Sequence, residues 1–211
     1  MSESSPPTGI ATNIIDTWKA KYPSVIMLLP VAFFPAIGHI VTSWGFFETL
    51  FENFLMALLK ANGTTNKDWR SLPFRKRRKL FADEARKAFD GFPAITRYLE
   101  SILDDSVPIQ QKRNLVAHGR LSAQISPIES DVKLICIGFR KGQEVRGDFN
   151  REDLDDLHYA IVHMAGRLHC APDAPEFSSS DKSKLLDFLT SNHPTYPNPC
   201  MPPPPPRSSQ A

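Results

Sequence analysis

The chain has 211 residues, 41% of them hydrophobic and 23% charged, with a formal net charge of +2. That length supports one good core with appendages and excludes two full domains, and the near-neutral balance excludes a chain that binds polyanions by overall charge alone. Its 19 prolines exceed ordinary usage and gather toward the ends, while Cys136, Cys170 and Cys200 have no framework spacing and suit a reducing, cytoplasmic compartment.

Residues 1–12 read as a disordered N-terminal tail, polar and proline-containing. A helical domain is expected over residues 13–170, opening with a short helix over Asn13 to Tyr22 that carries Ile14, Ile15 and Trp18 at helical spacing. Val25 to Phe47 holds no formal charge and passes a length test for a membrane span. Pro30, Pro35, Gly38 and His39 interrupt it and its second half is amphipathic, so no membrane association is expected. The polar residues ahead of it also argue against a secretory signal. Val25 to Ile37 reads as a buried connector or two short helical pieces.

Ile40 to Lys60 is the strongest helix, with Ile40, Trp44, Phe47, Phe51, Leu55, Leu58 and Leu59 at steps of three and four and Asn62-Gly63 as its stop. Pro73 opens a second helix to about Phe89, and Asp90-Gly91 with Pro93 separates it from a third over Ala94 to Leu103. Asp104-Asp105-Ser106 followed by Pro108 reads as the cap and first turn of a fourth helix, ending at Gly119. The period then changes. Val132 to Phe139 is β-branched and alternating, Arg140-Lys141-Gly142 is a turn, and Glu144 to Phe149 returns, which predicts a hairpin. A last long helix over Arg151 to Cys170 turns Leu154, Leu157, Ile161, Met164 and Leu168 inward. Residues 171–211 read as a proline-rich, largely disordered tail, with a short helix capped at Ser178 to Ser180 through Leu185, Leu186 and Leu189. The fold class is mainly α, a bundle with a small β-hairpin before its last long helix.

Charge is uneven along this order. Ten Lys/Arg stand against three acids from Lys60 to Lys87, centred on Arg75, Lys76, Arg77, Arg78 and Lys79. Two readings compete: a solvated helix face, or a basic surface that steers an anionic substrate such as RNA. His158, His163, His169 and Cys170 invite a metal, but His158 and His163 are five apart on one helix where zinc pairs prefer four, so no metal is expected.

The chemistry-bearing stretch is Arg113-Asn114-Leu115-Val116-Ala117-His118-Gly119. Arg offers a planar charged fork that matches phosphate oxygens, and His moves protons near neutrality. Together they are a minimal kit for a phosphodiester. On an ideal helix five residues at about 100° each leave Arg113 and His118 about 140° apart, so the two converge only if the long Arg bends round, the helix unwinds near Gly119, or two copies meet. The competing reading is structural: Arg113 ion-paired with Glu48 or Glu52, and His118-Gly119 as a helix C-cap.

A long helix with Trp44-x2-Phe47-Glu48, further helices, and Arg-Asn-x3-His-Gly ahead of a hairpin and a final helix resembles the HEPN domain family over about Ile40 to Leu168. The resemblance implies a helical bundle and a metal-independent endoribonuclease that needs no cofactor. It implies Arg113, Asn114 and His118 as catalytic residues in a composite site across a homodimer, and a setting in toxin–antitoxin or phage-defence systems with an antitoxin protein as a possible partner. The alternative within the same resemblance is a catalytically inactive module that binds RNA or a protein.

Overall fold

The computed structural model describes residues 33–64, 68–125 and 132–192. The expectations for the N-terminal tail, the leading helix, most of Val25 to Ile37, Cys200 and the prolines from Pro202 to Pro206 lie outside the described residues. The architecture is mainly helical, with a small antiparallel sheet: α1 (Phe34–Ala61), α2 (Phe74–Ala88), α3 (Pro93–His118), β1 (Arg120–Ile125), β2 (Val132–Arg140), β3 (Gln143–Phe149), α4 (Arg151–His169) and α5 (Ser179–Asn192). Among the described residues no helix is long and apolar enough to cross a membrane.

Helix α1 is the axis of the bundle and packs against α2, α3, α4 and α5. It begins at Phe34, six residues ahead of the predicted start, because Pro35 occupies the first turn, where its missing N–H would have no helical partner. The end forms as read: Thr64 N–H donates to Leu59 O and Gly63 N–H to Lys60 O, with Gly63 at φ 63°. These are the two bonds of a Schellman cap, whose left-handed position favours glycine. Trp44, Phe47, Phe51 and Phe54 on α1 meet Phe74 and Phe81 on α2, and Phe54 also meets Phe188 on α5, with ring centroids 5.0 to 6.3 Å apart. Rings at such spacing add roughly 0.5–1.5 kcal/mol per pair beyond the area they bury.

Where two helices are predicted, α3 is one. Asp104-Asp105-Ser106 does not cap a new helix, and Pro108 lies inside α3. A mid-helix proline removes one ladder bond and pushes a carbonyl aside. Just ahead of it, Leu103 O accepts from Ser106 Oγ at 2.6 Å and from Arg78 Nη1 at 2.8 Å. Ser106 is fully buried, bonding back to the residue three before it instead of forward as a cap would.

The hairpin is present with the turn chemistry expected, Lys141 at φ 53° and Gly142 at φ 79° forming the two left-handed positions of a two-residue connection. It is not alone. Arg120 to Ile125 adds a third strand against β2, in the order β1-β2-β3, so the predicted hairpin is a three-stranded sheet. Arg146 and Asp148 on β3 pair with each other through two hydrogen bonds of 2.7 and 3.1 Å, so Arg146-Gly147-Asp148 is a structural pair with a glycine between. Cys136 is free and buried, its thiol pushed up to about 11 by burial and by Asp148, which makes it an inert core residue.

Helix α4 starts at a capping box, Asn150 accepting from Asp153 N–H while Asp153 accepts from Asn150 N–H. Its five predicted inward residues are all buried. Beyond it the packed body continues. Ala171, Ala174, Phe177, Leu185, Phe188 and Leu189 are buried, so residues 171–192 belong to the core and not to a disordered tail. Leu186, on the short helix read from the sequence, is 45% exposed, and Phe188 packs inward against Phe54 and Phe89.

One carboxylate is buried with a full set of partners. Glu84 on α2 accepts from Asn62 Nδ2 at 2.7 Å and Thr64 Oγ1 at 3.1 Å, and pairs with Lys87 at 2.7 Å, tying the cap of α1 to α2. Burial alone would raise the Glu84 pKa, but the bonds from Lys87, Asn62 and Thr64 outweigh it and hold the carboxyl below its ordinary value. A depressed carboxylate stabilises the fold above its ordinary pKa and loses that contribution as pH falls through the folded value. Glu84→Gln is therefore expected to cost about 2 kcal/mol near pH 7 in urea unfolding, with the gap to wild type closing below pH 4. A gap that stays constant down to pH 3 would show that the charge contributes nothing.

Candidate functional site

Helix α3 carries Arg113, Asn114 and His118 in its last turns, and the sheet holds that end in place. Leu115, in the middle of the motif, lies over β2 and β3 where Gly138 and Gly147 stand; a Cβ on Gly138 would sit 2.9 Å from Leu115 Cδ2, and one on Gly147 3.3 Å from Leu115 Cδ1. The two glycines leave the hollow that seats the motif's leucine. Gly119 follows His118 with φ −71° and ψ 162°, a conformation open to any residue, so it is not the left-handed cap that the capping reading implies. It is needed for space. A Cβ there would lie 2.4 Å from Leu115 O and 3.2 Å from Ile137 O, at the point where the helix end passes onto β1.

Arg113 and His118 meet within one chain. Arg113 Nη1 is 3.2 Å from His118 Nε2 and donates to Asn114 Oδ1 at 3.0 Å. Of the three routes to convergence, the arginine bends round. The two side chains therefore meet without a second copy. Guanidinium nitrogens only donate, so a hydrogen bond in this contact has Nε2 as its acceptor.

The alternative ion pair does not form either. Glu48 and Glu52, four apart on α1, are both taken by Arg77 of α2, through a 3.2 Å contact to Glu48 and a shorter one to Glu52. Arg113 instead places its Cζ 5.8 Å from the centre of the Trp44 ring, a contact worth about 0.5 to 2 kcal/mol in general. Burial pulls the Arg113 guanidinium below its ordinary pKa and Glu48 pulls it back. Its Nε is buried without a partner. Arg113 is thus half-buried against an indole with its tip turned to His118 and Asn114, both exposed.

The basic run divides. Arg77, expected to steer RNA, is 11% exposed and neutralised by two carboxylates, and Arg78 donates to Leu103 O and lies 3.4 Å from Ser106 Oγ. Only Arg75, Lys76 and Lys79 remain exposed. The residues that sequence reasoning passed over here are Trp44 as the platform for Arg113 and Arg77 as the partner of Glu48 and Glu52. The four-residue spacing of the two glutamates was the available signal, but it does not say which cation of the basic run would answer it.

The histidines of α4 disperse. His158 meets the ring of His39 of α1 at a tilt of 37° with centroids 5.4 Å apart, and His163 stacks on Tyr159 at 6.2 Å. Among the described residues no three of His, Cys, Asp and Glu converge as metal ligands would. Compared with known proteins, the chain matches no family model, no curated protein and no solved structure.

Proposed function

We propose that this chain is a metal-independent endoribonuclease of the HEPN type, cleaving single-stranded RNA at Arg113 and His118. The observation that carries the reading is the 3.2 Å approach of Arg113 Nη1 to His118 Nε2 at an exposed helix end, with Asn114 on the same guanidinium nitrogen. An accepting Nε2 is the form a general base needs. A phosphate arriving at the site draws the guanidinium to its oxygens and releases Nε2 to take the proton of the ribose 2′-hydroxyl. The 2′-oxygen then bonds to phosphorus, the bond to the 5′-oxygen breaks, and the leaving oxygen takes a proton from water or from the imidazolium, giving a 2′,3′-cyclic phosphate. Arg113 stabilises charge on the non-bridging oxygens, and Asn114 orients Arg113. Arg75, Lys76 and Lys79 supply the field that gathers the strand.

Since the nucleophile belongs to the substrate, DNA is inert in this scheme. The test is single-stranded RNA and DNA of one sequence incubated with the full chain in EDTA. RNA is expected to end in 2′,3′-cyclic phosphate and DNA to survive. Equal cleavage of DNA, or full activity in His118→Ala, overturns the reading.

A further inference from the structure

Helices α2 and α3 enclose a groove of about 350 Å³ lined by Arg75, Arg78, Lys79 and Arg86 from one side and Glu100, Leu103 and Asp104 from the other. The cations stand at steps of three, four and seven, one face of α2. They are not equivalent. Arg86 is committed to Glu100 at 2.5 Å and Asp83 at 3.0 Å, which neutralises one wall. Arg78 is held in place by Leu103 O, beside the proline interruption of α3, with its Nε buried and unpartnered. Among the described residues neither Arg75 nor Lys79 has a carboxylate within ion-pair distance, and Arg75 is close enough to Arg78 to repel it. Four cations therefore face two carboxylates around a groove whose central arginine is fixed in advance and whose outer two lack counter-charges.

We infer that the α2–α3 groove is a phosphate subsite for the RNA strand, binding backbone away from the scissile bond through Arg75, Arg78 and Lys79. This rests on the ribonuclease reading for its choice of strand. Its position supports that choice: Asp104 and His118 are fourteen residues apart on the same helix, about 40° apart around it and about 21 Å along it at about 1.5 Å per residue. That spans about six stacked nucleotides at about 3.4 Å each. A strand bound at His118 that runs back along α3 meets the groove without leaving the helix surface. Fixing Arg78 beforehand also lowers the ordering cost of engaging a phosphate.

The experiment measures binding without cleavage. In the full chain carrying His118→Ala, fluorescence anisotropy is recorded for a labelled ten-nucleotide RNA and a trinucleotide. Arg75→Ala with Lys79→Ala is expected to weaken the ten-mer about tenfold and to reduce the slope of log K against log salt by about 1.4, two phosphate contacts at about 0.7 each. The trinucleotide, too short to reach both places, should lose less than twofold. Arg140→Ala, which removes an exposed cation at the hairpin turn, is the control. An unchanged affinity in the double variant, or an equal loss from Arg140→Ala, overturns the subsite. Inorganic phosphate or a mononucleotide competing as well as the ten-mer overturns the strand as occupant. Absence of cleavage by the wild-type chain, by contrast, overturns the ribonuclease reading and leaves this measurement standing.

Discussion

Arg113→Lys is expected to lower the rate of RNA cleavage by a factor of about 10² to 10³, the range found when one pre-aimed donor to a developing oxyanion is removed. Lysine keeps the charge and loses the shape. The guanidinium carbon stands 5.8 Å from the centre of the Trp44 ring while a single nitrogen, Nη1, faces both Asn114 Oδ1 and His118 Nε2. An ammonium on a flexible stem, more strongly hydrated, gains less from the indole and cannot present two parallel N–H groups to a phosphate. Stability should hardly move, because Glu48 and Glu52 are already satisfied by Arg77 and, among the described residues, the direct polar partners of Arg113 are the exposed Asn114 and His118. A drop of about 1 kcal/mol, or about 2–4 °C in Tm for a chain of this size, is the expected extent. His118→Ala should lose about 10² to 10⁴, and the double variant should be no worse than the more damaged single one, since two groups acting on one phosphate in one step do not contribute additively. Unchanged cleavage in Arg113→Lys, or strictly multiplicative losses in the double variant, would place the chemistry elsewhere.

How far the sequence carried the structure depends on whether each signal was local. The inward face of α1, the inward face of α4 and the turn at Lys141-Gly142 were legible because hydrophobic period and left-handed backbone are written in neighbouring residues. Asp104 to Pro108 misled because the same letters serve as a helix start or sit inside one continuous helix, and the bond from Arg78, distant in sequence, to Leu103 O is a contact that no local pattern shows. Strand β1 was missed since Arg120 to Gln124 has little strand character of its own and is ordered by pairing along β2. Leu186 and Phe188 show the same limit at smaller scale, two apolar residues on one short helix whose directions are set by Phe54 and Phe89. For the candidate site, the sequence named Arg113, Asn114 and His118 and left open the route by which Arg113 and His118 would meet. Ideal helix angles describe Cβ directions, whereas a guanidinium sits several bonds farther out and can swing back to a neighbour about 140° away.

Gly119→Ala is expected to cost about 3 kcal/mol and to reduce cleavage with it, although alanine is ordinarily a mild replacement. The backbone conformation does not forbid it, since φ −71° and ψ 162° suit any residue. The obstacle is a methyl placed 2.4 Å from Leu115 O, a backbone atom that also accepts the Gly119 N–H at 2.9 Å, so relief requires the helix end or β1 to move. Overpacking of that kind costs roughly 1–3 kcal/mol, and loss of the terminal hydrogen bond adds about 1 kcal/mol. The displaced segment includes His118 and the Leu115 seat on Gly138 and Gly147, which is why activity should follow stability here and not in Arg113→Lys. Gly45→Ala provides the opposite sign from the same chemical change: it lies inside α1 with nothing within 4 Å of its added Cβ, so the alanine should stabilise by about 0.5–1 kcal/mol through helix propensity. Chemical denaturation of both variants beside wild type checks the pair. If Gly119→Ala unfolds at the wild-type midpoint, the close passage of α3 onto β1 is not what positions His118.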